Sequence, residues 1–385
     1  MWAWLLISCQ PASTGGRLDL NVPSHFPSLP VPAGSPLTAE TVALGRYLFY
    51  DIRLSVNGTR SCGICHEQAI GFVDGFVQAV GATSEKHTRN TLSLLNVGWR
   101  TQLTWQNPAV DCLEDQLLTP LSGDAPVEMG MTETMLLSRL SETALYPPLF
   151  VAAYPDEDAP LRLANVQRAL GSFQRTIIGG RSPYDQYLLG DDEALDDAER
   201  RGMALFFSPE LRCSRCHGGL FFEQPTDEDG EVLDAHGYHN TGLYNIDGAG
   251  GYPPEETGLH ALTGEAADMG RFRTPSLRGV TETGPWTHDG TVLDLGDLID
   301  AYARGGREVL SGPTPGDGAT NPYKSPLIAG FSLDDGQRGD LLAFLGALTD
   351  IDVLAKPDLA TPFCVEGDSG EIRNAPCTPP AELED

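Results

Sequence analysis

The sequence predicts a mainly α-helical protein in which one module is used twice. Three observations carry this. The pattern Cys-x-x-Cys-His occurs at Cys62-Gly63-Ile64-Cys65-His66 and again at Cys213-Ser214-Arg215-Cys216-His217. Each copy follows a short helix-like segment, and each half closes with an amphipathic one. Alternating β-branched residues, the mark of half-buried strands, are scarce throughout.

The first helix is expected from about Thr38, an N-cap residue, with Leu44, Tyr47 and Leu48 at i, i+3 and i+4. Asn165 is expected to cap the closing run that carries Val166, Leu170, Phe173 and Ile177. The second half repeats the plan. A helix starts near Asp196 and Asp197 with Ala198, Gly202, Leu205 and Phe206 on one face. At its end Ser332 and Asp335 resemble a capping box before Leu341, Leu345 and Leu348. Gly179 to Asp192, with Pro183 and several acids, reads as the connection. Residues 70–130 and 218–295 are far longer than a minimal electron carrier needs, and loops of that length are usually functional. The expected plan is a leader and flexible tether over 1–36, modules over 37–185 and 186–355, and a Pro-rich acidic tail over 356–385.

The chain has 385 residues, with 25 basic against 54 acidic side chains and a net charge of −29. That field repels nucleic acid and favours basic or neutral partners. The N-terminal run ending Leu6-Ile7-Ser8-Cys9 looks like a lipoprotein cleavage box with Cys9 lipidated. A full export signal would carry a basic segment and a longer apolar core, so the true start is expected upstream.

Cys-x-x-Cys-His is the attachment sequence for c-type haem: two thiols form thioethers to the porphyrin, and the His is the first axial ligand. A zinc site would want further thiols or imidazoles at short spacing, and a redox dithiol needs no His. Two haem c groups are therefore expected, on Cys62, Cys65 and His66 and on Cys213, Cys216 and His217, in two cytochrome c-like domains with long irregular loops. Such haem is assembled outside the bacterial cytoplasm, where disulfides are allowed. Cys364 and Cys377 can close a small loop worth about 3 kcal/mol by chain entropy. Cys112 is then left as a buried, inert thiol.

With these motifs on the page, the chain resembles the bacterial di-haem cytochrome c peroxidase/MauG superfamily from about residue 36 to 352. The resemblance also rests on Arg89-Asn90-Thr91, Trp105, Leu113-Glu114-Asp115-Gln116, Pro126-Val127-Glu128-Met129-Gly130, Phe272-Arg273-Thr274-Pro275-Ser276-Leu277-Arg278 and His288-Asp289-Gly290. Thr104-Trp105-Gln106-Asn107-Pro108 and His239-Asn240-Thr241-Gly242-Leu243-Tyr244-Asn245 resemble the MbnH-type branch, whose characterised member oxidises a partner's tryptophan to kynurenine.

The resemblance implies a peroxidatic first haem, with Glu128, Gln116 and Pro120 at the positions that move a proton between the peroxide oxygens. Conventional cytochrome c peroxidases block that iron with a His. Eight residues before Asn90 this chain has Ala82, so the first iron is expected five-coordinate. His87, the nearby imidazole, is expected to be structural or at the surface. At the second haem the family's Met position, fourteen residues past His288, is Tyr302. Leu295, Leu298, Ile299 and Tyr302 share a helical face that points the phenol inward, with Met269 as a competing ligand. Tyrosinate favours oxidised iron, whereas a thioether raises the potential.

The resemblance further implies that Trp105 conducts between the haems. Trp99 and Trp286 are candidates for a path to the surface. One calcium would be bound through Asn90, Thr283 and Pro285. His236 and His239 are expected at the surface, and His25 and His260 without function. The implied activity is hydrogen peroxide-dependent formation of a high-valent di-haem state that oxidises a periplasmic partner protein at Trp. The alternative is peroxide reduction to water with electrons from a small cytochrome or copper protein. A pure electron carrier is disfavoured by the acid and amide of the first pocket.

Overall fold

The structure, a computed structural model, describes residues 18–227, 229–233, 237–366 and 371–376, without the side chains of 364–366 and 371–376. Cys9, His236, Cys377 and the side chain of Cys364 lie outside this set, as do the expectations that fall on them.

Two helix pairs built on the same contact organise the chain. Thr38 caps helix Ala39–Tyr50 through a reciprocal capping box, and its Leu44, Leu48 and Phe49 are fully buried. It packs on helix Leu163–Gln174 with Gly45 against the partner's backbone: a Cβ there would lie 1.9 Å from Ala169 O and 2.9 Å from Phe173 Cβ. In the second half Asp196 caps helix Asp197–Phe206, which packs on helix Asp335–Gly346. A Cβ on Gly202 would lie 1.9 Å from Asp340 O and 2.8 Å from Phe344 Cβ. Glycine is needed at both points because the backbones touch.

Around the first pair a core gathers Tyr50, Phe72, Leu117, Met129, Tyr146 and Phe150; around the second a smaller one gathers Phe206, Phe222, Leu295, Ile299, Phe344 and Leu348. The rest is largely irregular. Among the described residues there are three two-stranded antiparallel sheets, pairing Tyr238–His239 with Phe272–Arg273, Glu308–Val309 with Gly316–Asp317, and Phe363–Glu366 with Glu371–Pro376. No helix among the described residues is long and apolar enough to cross a membrane.

Several details differ from expectation. Arg162 and not Asn165 is the N-cap residue of helix Leu163–Gln174, because the Asn165 amide donates to Pro160 O and Glu157 Oε2 instead of capping. The last helix is capped by Asp334 with Gln337, not by Ser332 with Asp335. The connection contains a capped helix, Pro183–Leu188, with Asp185 fully buried. Residues 18–36 are docked rather than a free tether: Phe26 and Leu29 are buried, Phe26 packs edge-on against Trp99 and Phe221, and His25 Nε2 lies 2.9 Å from Asp185 Oδ1. In the tail, Leu359 and Phe363 are buried in the first core. Cys112 is disulfide-bonded, which corrects the expected inert thiol.

Candidate functional site

Both Cys-x-x-Cys-His segments adopt the same local geometry. Cys62–Cys65 is a single helical turn followed at once by His66, and Cys213–Arg215 a tighter one followed by Cys216 and then His217. His66 Nδ1 donates to Phe72 O at 2.9 Å and His217 Nδ1 to Phe222 O at 3.0 Å. The two phenylalanines have φ of 60° and 54°, which turns each carbonyl back onto its histidine. A carbonyl can only accept, so in each neutral ring the proton sits on Nδ1 and the Nε2 lone pair is free for a metal. Burial pulls His217 down to about 4, keeping it neutral and able to ligate.

The thiols also fit covalent attachment better than redox exchange. Burial pushes Cys62 and Cys213 up to about 12 and Cys65 and Cys216 up to about 11. A catalytic dithiol requires the opposite shift. Among the described residues no group of three or more His, Cys, Asp or Glu is placed to hold a metal, as the zinc reading would need. The donor set therefore fits two c-type haems.

The second motif opens onto a cavity of about 230 Å³ lined by Cys213, Cys216, His217, Trp105, Trp286 and Tyr302. Tyr302 projects from helix Leu295–Arg304, capped by Asp294, with Leu298 and Ile299 beside it on the cavity wall. Its hydroxyl has no hydrogen-bond partner among the described residues, so it is not a core tyrosine tied to a carbonyl. Burial pushes the phenol well up, and a cation opposite it would be needed to hold phenolate. Met269 instead packs with Leu243, Tyr244, Tyr252 and Phe272 and does not line the cavity.

His239 departs from the expected surface position. It lines the same cavity, its Nε2 is buried without a partner, and burial lowers it to about 4.

The wall between the halves is built on Asn90. Its N–H donates to His288 O at 2.8 Å, its carbonyl accepts from Trp105 Nε1 at 2.8 Å, and its side-chain amide donates to Phe76 O at 3.0 Å. The neighbouring Arg89 pairs with Glu256, donates to Gln106 Oε1 at 2.8 Å and lies over the Phe272 ring. Trp105 is thus held by its indole N–H at the wall. That wall reaches from Val73, next to the carbonyl that orients His66, to the second motif. Asn90, Thr283 and Pro285 share it and offer oxygen donors suited to a hard cation. Trp99 donates to Pro27 O at 3.0 Å, away from this wall, and Trp286 donates to Val280 O at 2.9 Å.

Near the first motif, Gln116 ends helix Leu113–Gln116 and Pro120 lies one turn on, in helix Leu118–Ser122. Glu114, fully buried, fixes this segment through a two-point bond to Arg175 at 2.8 and 3.0 Å. Met129 N–H donates to Pro120 O at 2.9 Å, bringing Glu128 beside Pro120. Glu128 is close enough to His66, Cys62 and Cys65 to influence all three electrostatically. Ala82 is locked in the facing hairpin, its N–H donating to Glu128 O at 2.6 Å and its O accepting from Asn57. The same hairpin carries His87, whose Nε2 lies 3.4 Å from Glu128 Oε1. No spacing rule signalled this contact, because the hairpin Val80–Lys86 makes it.

Paired attachment motifs, an acid beside the first and an aromatic wall between them define a di-haem c-type oxidoreductase. The chain belongs to the di-haem cytochrome c peroxidase family, which implies two c-type haems and peroxidase-type activity. The family profile, "Di-haem cytochrome c peroxidase", matches residues 39–193. The methylamine utilization protein MauG of Methylorubrum extorquens is 36% identical over 324 residues, 83% of this chain and 81% of that protein. Cytochrome-c peroxidase IdrP1 of Pseudomonas sp. (strain SCT) is 32% identical over 351 residues, 88% of each. Among solved structures, a MauG-like protein associated with microbial copper homeostasis superposes with a TM-score of 0.85 at 41% identity, covering 90% of this chain and 99% of that one.

Proposed function

We propose that the chain is an exported, peroxide-dependent di-haem enzyme that oxidises a partner protein in the periplasm, at a Trp side chain. The observation that carries this is Tyr302: it lines the same cavity as the second attachment motif, its hydroxyl without a hydrogen-bond partner among the described residues, while Met269 is packed elsewhere. When bound, the haems supply the centre that splits hydrogen peroxide and a second redox centre.

The chain's own residues do the rest. Glu128, with Pro120 beside it and Gln116 one turn before Pro120, shuttles the proton between the peroxide oxygens. Ala82, pinned to Glu128 O, would offer no side-chain donor to a haem iron bound at the first motif. His66, His217 and Tyr302 would hold the haem irons. A phenolate oxygen stabilises the oxidised metal and suits holding an oxidising equivalent better than accepting electrons from a carrier. Trp105, fixed at Asn90 O, links the two centres, and Asn90, Thr283 and Pro285 would hold one calcium that would stiffen the wall carrying it.

A second reading is peroxide reduction to water with electrons from a small cytochrome or copper protein. Similarity to enzymes named cytochrome-c peroxidase favours it. Mass spectrometry of a small exported protein encoded beside this gene, co-produced with and without the enzyme, separates the two. Oxidation at one Trp only when the enzyme is present is expected. An unmodified neighbour, together with steady peroxide turnover by reduced cytochrome c, would overturn the proposal.

A further inference from the structure

Behind Trp105 lies a buried aromatic cluster that the reading above does not use. Trp105 meets His288 edge-on with ring centroids 6.5 Å apart, Tyr252 lies 6.4 Å from His288, and Tyr244 lies 5.4 Å from Tyr252. Phe272 stacks on His288 at 3.5 Å and closes the group. The rings therefore run without a gap from the cavity wall to Tyr244.

The two tyrosines differ in what accepts their protons. Tyr252 donates to Asn240 Oδ1 at 2.7 Å, an amide that takes no proton. Tyr244 donates to Asp289 Oδ2, a carboxylate also held by Thr291 N–H and Oγ1 and by Thr287 Oγ1. Burial would raise Asp289, but His288 and these donors outweigh it and keep it ionised. A phenol gives up an electron far more readily when its proton leaves at the same moment to a base already in contact. The Arg307 guanidinium lies 4.7 Å from the Tyr244 ring centre, so a positively charged ring is disfavoured there and a neutral one is not.

We propose that Tyr244 and Asp289 form a proton-coupled redox station that takes up an oxidising equivalent when no partner protein is bound. One electron passes from Tyr244 through Tyr252, His288 and Trp105 to a haem oxidised by hydrogen peroxide, which is reduced by one electron. The Tyr244 hydroxyl proton moves to Asp289 Oδ2, leaving a neutral phenoxyl radical. A later electron from a one-electron donor, a small cytochrome or copper protein, reduces the phenoxyl radical, and Asp289 returns the proton. This rests on the proposed function for its oxidant.

The test is freeze-quench electron paramagnetic resonance of the haem-loaded protein after one equivalent of hydrogen peroxide without partner, with the Soret band followed in parallel. A tyrosyl signal that sharpens on ring deuteration of tyrosine is expected. It should fall at least about tenfold in Tyr244→Phe and in Asp289→Asn, which leaves the phenol in place. An undiminished signal in either variant, with an unaltered resting spectrum, overturns the station. So does a wild-type protein whose haems are oxidised without a tyrosyl signal, an outcome that leaves the proposed function standing. No Soret response at all would overturn both.

Discussion

His87 Nε2 lies 3.4 Å from Glu128 Oε1, while its Nδ1 accepts the Arg89 N–H at 3.0 Å. An accepting Nδ1 puts the neutral ring's proton on Nε2, so the imidazole points an N–H at the carboxylate. The geometry orients this acid beside the first motif. Glu128→Gln should slow peroxide cleavage by roughly 10²–10⁴-fold, the usual worth of a positioned acid–base group. Stopped-flow absorbance at the Soret band checks this, and a near-wild-type rate would move the role to another residue.

Tyr302 tests the second centre. Tyr302→Met should raise that haem's potential, because sulfur replaces an anionic oxygen, and should shorten the life of the peroxide-oxidised state. A spectroelectrochemical titration indistinguishable from wild type would remove Tyr302 from the ligand set.

The matched glycines carry a stability prediction. Gly45→Ala or Gly202→Ala places a methyl 1.9 Å from a backbone oxygen. Overpacking at such a point costs about 1–3 kcal/mol. A lower midpoint in urea for both variants is expected; unchanged midpoints would mean the helix pairs can separate without loss.

Asp185 sets a pH limit. Burial alone would raise it, but Arg278 at 2.7 Å, with Ser182 and His25, holds it below the usual carboxylate range. A depressed folded-state pKa contributes stability above the unfolded value of about 3.9. That stability is lost as pH falls through the folded value. Thermal melts should therefore drop below about pH 4, and Asp185→Asn should flatten that drop while melting lower at neutral pH. An equally steep acid limb in the variant would place the sensitive group elsewhere.

What was legible in the sequence was whatever local rules govern. Thr38 and Asp196 cap helices where expected, because a side-chain cap needs only residues three apart. Tyr302 shares its helix face with Leu298 and Ile299 for the same reason. Asn165 misled because Glu157 and Pro160, folded back from the preceding turn, claim its amide. His239 and Cys112 were misread because neither the lining of a cavity nor a cross-link can be read from local spacing, and the contact of His87 with Glu128 depends on hairpin closure. The tether reading of 18–36 failed likewise: Pro and Ser suggested mobility, but Phe26 found Trp99, Phe221 and the Arg278 guanidinium.

The central claim is an open first iron paired with a tyrosine-bound second one. Low-temperature electron paramagnetic resonance of the resting, oxidised holoprotein tests it most directly. One high-spin, five-coordinate centre beside one low-spin centre with histidine and phenolate oxygen is the predicted spectrum. Two six-coordinate low-spin centres, one of them bound by methionine sulfur, would contradict it.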